Sequence, residues 1–477
     1  MQILALLALL TPLSIDLEGS DDWPTWRGPD GNSVSSGTPP IQFGEEDNLK
    51  WKAALPGKGL STPIIVGGRV FVTTAVSAEP EAGGSGSSRG STGGGRGRGR
   101  GRSAPLSETD FLVIAFDRQD GSVVWEQIAR TQVPHQGTHR DGSFASPSVV
   151  SDGERLFASF GSYGLYAYDL EGELLWELDL GDMNIANSFG EGSSPILWGD
   201  SLILAWDHDG DSFLVALDKK TGKEIWRTER EQGTNWGSPL VATGAKGQAQ
   251  IIVASSTTIA YDAKTGAEIW SCGAGGSASA GSGDGSPEGR GGNRAGNRGG
   301  GRAGGRGGAR RGGIIATPVL HDGLLVYSTG TRSGGSFHAL RVADAEGTKV
   351  EASDAMVWKR DRDAPRIPSP IVHDGILYAL KGSSGLLSAL DFESGEPLYT
   401  SKRLDAVGDV WATPVIAGEH IYILGRDGTV EVVTTGTEME TVSVNKLEDV
   451  FDASPAVAGD ELFIRGRSNL YCFAKSE

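Results

Sequence analysis

His135 and His139 stand four residues apart, a spacing at which two imidazoles on one helical face can grip a metal ion. Their stretch, His135-Gln136-Gly137-Thr138-His139-Arg140-Asp141-Gly142, holds two glycines and reads as a loop, which gives the pair no common face. Asp207-His208-Asp209-Gly210-Asp211 places oxygen donors at alternate positions, as a calcium loop does. Its glycine is misplaced for such a loop, and the next acid in range, Asp218, belongs to a repeated turn, so a polar hairpin tip is the plainer reading. His321 and His373 each precede Asp-Gly and read as turn residues. No phosphate-cradling loop with a following lysine is present, and the Gly-x-Gly matches fall in low-complexity sequence. These residues point to no catalytic group and no metal site.

What they would be mounted on is a repeat. Short apolar runs follow Thr62-Pro63, Ser146-Pro147, Ser194-Pro195, Ser238-Pro239, Thr317-Pro318, Ser369-Pro370, Thr413-Pro414 and Ser454-Pro455. Copies at this interval signal a propeller or solenoid. The third copy shows the unit: apolar strands Ser194–Leu197, Leu202–Trp206, Phe213–Leu217 and Lys223–Arg227, separated by Gly/Asp turns. Four such strands make an antiparallel propeller blade. The last turn recurs as Asp117 to Trp125, Asp218 to Trp226, Asp262 to Trp270 and Asp391 to Tyr399, with Asp169 to Trp176 one residue shorter. Its glycine supplies a positive φ, and its aspartate can accept from turn N–H groups. The aromatics Trp51, Trp125, Trp176, Trp226, Trp270, Trp358 and Tyr399 are expected to wedge between blades. Burying one tryptophan stabilises by roughly 4–6 kcal/mol as an upper bound.

The final copy stops after a third strand, Leu470–Phe473, while Leu49–Ala53 precedes the first copy as an orphan fourth strand. The expectation is an all-β, eight-bladed propeller of four-stranded antiparallel blades, closed by the N-terminal strand completing the last blade, which leaves no open edge. Cys272 and Cys472 then lie half a ring apart, beyond the ~7 Å reach of a disulfide.

The chain carries 43 Lys and Arg against 61 Asp and Glu, a net −18 that disfavours nucleic acid. Two Gly/Arg-rich stretches, 83–104 and 273–313, each carry +5 and leave the remainder at −28. Such sequence cannot bury enough apolar surface to order itself and is expected to be disordered. They fall between the second and third strands of blade 1 and between blades 4 and 5. Residues 1–20 contain the apolar run Ile3–Leu10, the length of a signal-peptide core and too short to span a bilayer. An exported protein with a single propeller over 21–477, no transmembrane segment and a monomeric state is expected.

The Asp-x-x-Thr-Gly-x-x-x-Trp turn with the Ser/Thr-Pro strand resembles the PQQ-type repeat across nearly all of residues 22–474. That repeat builds the quinoprotein alcohol dehydrogenases and the non-enzymatic lipoprotein of the outer-membrane β-barrel assembly machinery. Trp23-Pro24-Thr25-Trp26-Arg27-Gly28-Pro29, Phe189-Gly190-Glu191-Gly192-Ser193-Ser194-Pro195 and Ala453-Ser454-Pro455-Ala456 through Leu470-Tyr471-Cys472 are similar to exported bacterial PQQ-like propellers of unassigned function. The dehydrogenase resemblance implies a quinone held between a tryptophan and an adjacent Cys-Cys disulfide, a calcium ion on Glu and Asn, and an Asp base. This chain has no adjacent cysteines, and no position matches the calcium ligands or base by motif.

The function expected is therefore a non-catalytic binding or assembly scaffold of the periplasm or cell envelope, without a cofactor. The alternative is a PQQ- and calcium-dependent alcohol or sugar dehydrogenase. Propellers present a rim of loops leading into their innermost strands. Its candidate binding residues here are His135, His139, Arg140, Asn187, Glu191, Asn235, Trp236, Arg366, Trp411, Asp449 and Phe451. Aromatics mixed with Arg and Asn suit a protein or carbohydrate ligand.

Overall fold

The computed structural model describes residues 21–78, 106–273, 315–331 and 334–476. The leader-like segment 1–20, the stretch 83–104 and all but Gly273 of 273–313 lie outside the described residues. Eight sheets, each built on four antiparallel strands, form the eight-bladed wheel expected from the repeat. Blade 1 runs Ile64–Val66, Arg69–Ser77, Thr109–Asp117 and Val123–Gln132 from axis to periphery. Blade 8 takes three strands from Ala456–Phe473, and its fourth is Leu49–Ala54, antiparallel to Asn469–Phe473 with Trp51 opposite Cys472. Among the described residues helix is limited to short 3-10 turns, and none is long and apolar enough to cross a membrane. Cys272 and Cys472 are buried, unbridged thiols in blades 4 and 8.

The repeated proline marks an inter-blade belt. The N–H of Thr62 donates to Ser148 Oγ, Ser148 to Ser194, Ser194 to Ser238, Ser238 to Thr317, Thr317 to Ser369, Ser369 to Thr413 and Thr413 to Ser454, all at 2.9–3.0 Å. In blade 2 the belt residue is Ser148, two positions beyond the Ser146 of the sequence repeat. The belt needs a hydroxyl and an N–H, and Ser148 supplies both without a following proline. At the seam between blades 8 and 1 the buried Arg465 donates to Ser61 instead.

The tryptophans seat on the turns of the next blade. The indole N–H of Trp51, Trp125, Trp176, Trp226 and Trp358 donates to the carbonyls of Arg118, Leu170, Lys219, Ala263 and Phe392 at 2.9–3.1 Å. Each acceptor directly follows the turn aspartate, and each ring lies on the turn glycine. A Cβ at Gly121, Gly172, Gly222, Gly266 or Gly395 would come within 2.4–2.8 Å of the ring, and all five have positive φ. In every blade the ladder shifts register just before this position, and a bulge re-aims the side chain.

Three seams depart from the rule, and at the one between blades 6 and 7 the wedge is Tyr399, buried with its hydroxyl unpartnered among the described residues. Blade 5 replaces its turn by an excursion through Gly347–Thr348, which adds a parallel fifth strand to blade 4. Trp270 therefore has no turn to meet and bonds Gln250 Oε1 within its own blade at 2.9 Å. Blade 7 has Ser443 where a wedge would stand. There Phe43 fills the gap, 4.6 Å from the Phe473 ring, with its N–H on Asn445.

Residues 21–40 lie across the channel on the face of these turns. Trp23 bridges the innermost strand of blade 1, and Val34–Ser35 pairs in parallel with that of blade 7. Between them Arg27, 2% exposed, donates to the carbonyls of Pro318 and Pro370 in blades 5 and 6 and to Ser33. Burial pushes its guanidinium down to about 9, with neutral oxygens as its partners.

Candidate functional site

The opposite face carries the loops that lead into the innermost strands, joined by the turns between second and third strands. The loop following blade 1 runs over this face and is tied at both ends. On one side His135 Nε2 lies 2.8 Å from the Met183 carbonyl, and Gln136 exchanges bonds with both backbone groups of Ile185. On the other, Asp141 meets Arg426 of blade 7 at 2.8 Å. His139 rests on Phe189 and accepts from the Asp141 N–H, so the two histidines turn to different partners. Arg140 is exposed.

Arg426 organises this end. It lies 3.9 Å from the Trp411 ring, pairs with Asp452 at 2.6 Å and stands 3.5 Å from Asp409. Arg467 adds a second bond to Asp452, donated by its Nε at 2.8 Å. Arg426 and Arg467 are residues of this candidate face that sequence reasoning missed. They sit in the turns of blades 7 and 8 between second and third strands, not in the loops entering innermost strands that hold the sequence candidates. Charge beside glycine in Gly425-Arg426-Asp427-Gly428 was the available signal.

Glu191 stands between blades 2 and 3. Its carboxylate accepts from the N–H of Ser162 at 2.6 Å and from the Ser162 hydroxyl. Gly161 makes the approach possible, since a Cβ there would overlap the carboxylate. Burial pushes the Glu191 carboxyl up to about 7, against the opposing pull of the Ser162 donors and nearby His135. Two small cavities flank it, each with room for about one water. Phe144 and Tyr163 wall the first, Trp206 and Asn235 the second.

Several sequence candidates face inward. Asn235 is buried, donates to the Ala254 carbonyl at 3.0 Å and leaves its Oδ1 without a partner. Phe451 is fully buried edge-on to Tyr471, in the core rather than on the rim, because blade 8 needs it to fill its own interior. Asp449 caps the turn of blade 8, accepting from the N–H groups of Arg467, Ser468 and Asn469. Trp236 is half-buried and donates to the Gly190 carbonyl at 2.8 Å. Asn187 lies in the short 3-10 turn Ala186–Ser188. Arg366 is exposed.

In the run of alternate oxygen donors, Asp207 is buried and chelates Arg230 at 2.7 and 2.9 Å, while Asp209 accepts from Thr234. The loop's carboxylates serve the fold. Among the described residues no three His, Cys, Asp or Glu side chains are grouped to hold a metal ion.

A family model described as outer membrane protein assembly factor BamB matches residues 43–211, 165–306 and 210–477. An outer membrane protein assembly factor BamB from Yersinia pestis is 22% identical over 251 residues, 48% of this chain and 51% of that protein. The chain thus spans about half the length of that curated relative. Among solved structures, BamB from Moraxella catarrhalis is 16% identical, with 77% of this chain and 89% of that chain covered at a TM-score of 0.50. A europium-containing methanol dehydrogenase is 12% identical, with 97% and 99% covered at a TM-score of 0.60. A quinohemoprotein alcohol dehydrogenase from Pseudomonas putida HK5 is 13% identical, with 96% and 81% covered at 0.56. These structural likenesses show the fold alone.

Proposed function

The chain belongs to the family described as outer membrane protein assembly factor BamB, and from that premise we propose that it is a non-catalytic protein-binding scaffold serving envelope assembly. The observation that carries this reading is the use of the polar groups near the channel for structure. Arg27 and residues 21–40 cross the channel on the turn face. Asp207 is taken by Arg230, and Asp141, Asp409 and Asp452 are taken by Arg426 and Arg467. What remains at the surface is a rim of anchored loops with exposed arginines, a composition suited to gripping another protein.

A quinone with its calcium ion fits these residues poorly. The second cavity brings Glu191, Asn235 and Asp207 near one another, but Asp207 is engaged by Arg230 and the space suits about one water. Both thiols lie buried in blades 4 and 8, so no disulfide platform stands beside it. Export to the periplasm belongs to the same reading and is supported by the family. The test is to add PQQ and calcium to purified protein and follow dye reduction with a panel of alcohols and sugars. No turnover is expected, and quinone-dependent turnover would overturn the scaffold reading.

A further inference from the structure

The rim carries a concentration of positive charge on an otherwise acidic wheel, at the seam between blades 5 and 6. Its centre is Asp363, 5% exposed and held at a positive φ of 65°. That one carboxylate receives Arg360 of blade 5 at 2.9 Å, Lys381 of blade 6 at 3.2 Å and the Ser401 hydroxyl of blade 6 at 3.3 Å. Burial works to raise its carboxyl, but the Arg360 and Lys381 donors outweigh it and hold the group below the ordinary carboxylate value. Two cations therefore share one charge. Around them Arg362, Arg366 and Arg403 are exposed. Arg362 and Arg366 make no side-chain ion pair among the described residues. Arg360, Arg362, Arg366, Lys381 and Arg403 thus outnumber Asp361 and Asp363 at this seam, while Lys359 and Lys402 stand on the strand faces turned to blades 4 and 7.

We propose that this patch is the docking surface for a short acidic segment of a protein partner. The inference rests on the scaffold reading and gives its partner a chemistry. Asp363 fixes the geometry: it ties the loop that leaves blade 5 to two strands of blade 6, so the free guanidinium groups stand on a braced platform. Arginine forks match carboxylates in pairs. The charge of the whole molecule decides the size of the partner. Beyond about 8 Å from the patch, a Debye length at physiological salt, the acidic body repels further negative charge. An extended polyanion such as a nucleic acid, or the plane of an anionic bilayer, must cover that body. A narrow acidic peptide segment meets only the patch.

The test is fluorescence anisotropy on the full chain, using a fluorescein-labelled dodecapeptide of alternating Glu and Ser. A Gln-for-Glu peptide, anionic phospholipid vesicles and a short single-stranded DNA are compared with it. Saturable binding of the acidic peptide that weakens with salt is expected. The double variant Arg362→Glu/Arg366→Glu should weaken it at least about tenfold. Because both side chains are exposed and unpaired, that variant should keep its thermal unfolding. Lys264→Glu, on the opposite face, should change affinity less than about twofold. No saturable binding, equal weakening by both variants, or tighter binding of vesicles or DNA would overturn the proposal. Such a failure would leave the scaffold reading in place, since that reading falls to quinone-dependent turnover.

Discussion

Glu191 joins the loop before blade 3 to the turn Gly161–Tyr163 of blade 2. Its carboxyl, raised to about 7, holds its proton more tightly folded than unfolded. That contribution to stability is complete below the ordinary glutamate value and is lost as pH rises through about 7. Thermal unfolding of the native chain should therefore move to lower temperature between about pH 5 and about pH 8. Glu191→Gln should remove that part of the slope, and an unchanged slope would show that another group is responsible. The buried Asp207–Arg230 pair makes a different claim. Asp207→Ala leaves a guanidinium buried without its charge partner and should cost about 3–5 kcal/mol in denaturant unfolding. Replacing both by apolar residues of similar volume should cost much less, because no lone charge is left behind.

At the scale of the strand and turn, tryptophan and glycine act as one contact across five of the eight seams. Trp226→Ala should lose about 3–5 kcal/mol through the cavity it opens, and Trp226→Phe about 1 kcal/mol through the lost bond to Ala263. Tyr399 tests the same logic in reverse, since its buried hydroxyl has no partner among the described residues. Tyr399→Phe should be neutral or stabilising in denaturant unfolding, and a loss above about 1 kcal/mol would reveal a missing bond. These elements were readable in the sequence because turn, glycine and aromatic lie within nine residues of one another. What Trp270 meets was not, because its neighbour turn is replaced by an excursion in blade 5. Phe43 could not be found by repeat spacing either, since it fills a gap in blade 7 from some four hundred residues away. The rim was less legible than the seams. Its side chains are sorted by loop geometry, so Phe451 and Asn235 turn inward while Arg426, on a turn the repeat does not mark, organises the surface.

For the molecule as a whole, both ends of the chain take part in closing the ring. Leu49–Ala54 completes blade 8, and residues 21–40 reach across the channel to blades 1, 5, 6 and 7. The missing fourth strand of the last repeat announced the first of these. The second had no such signal, because Trp23 and Arg27 find partners only once the wheel exists. A rigid closed wheel is also what lets charges from separate blades stand together at the rim, so the scaffold reading depends on the closure. Hydrogen-exchange mass spectrometry of the full chain examines it without substitution. Amides of Leu49–Ala54 should exchange as slowly as those of Asn469–Phe473, and the two should lose protection together as denaturant is added. Fast exchange in Leu49–Ala54 beside a protected Asn469–Phe473 would contradict the closed wheel.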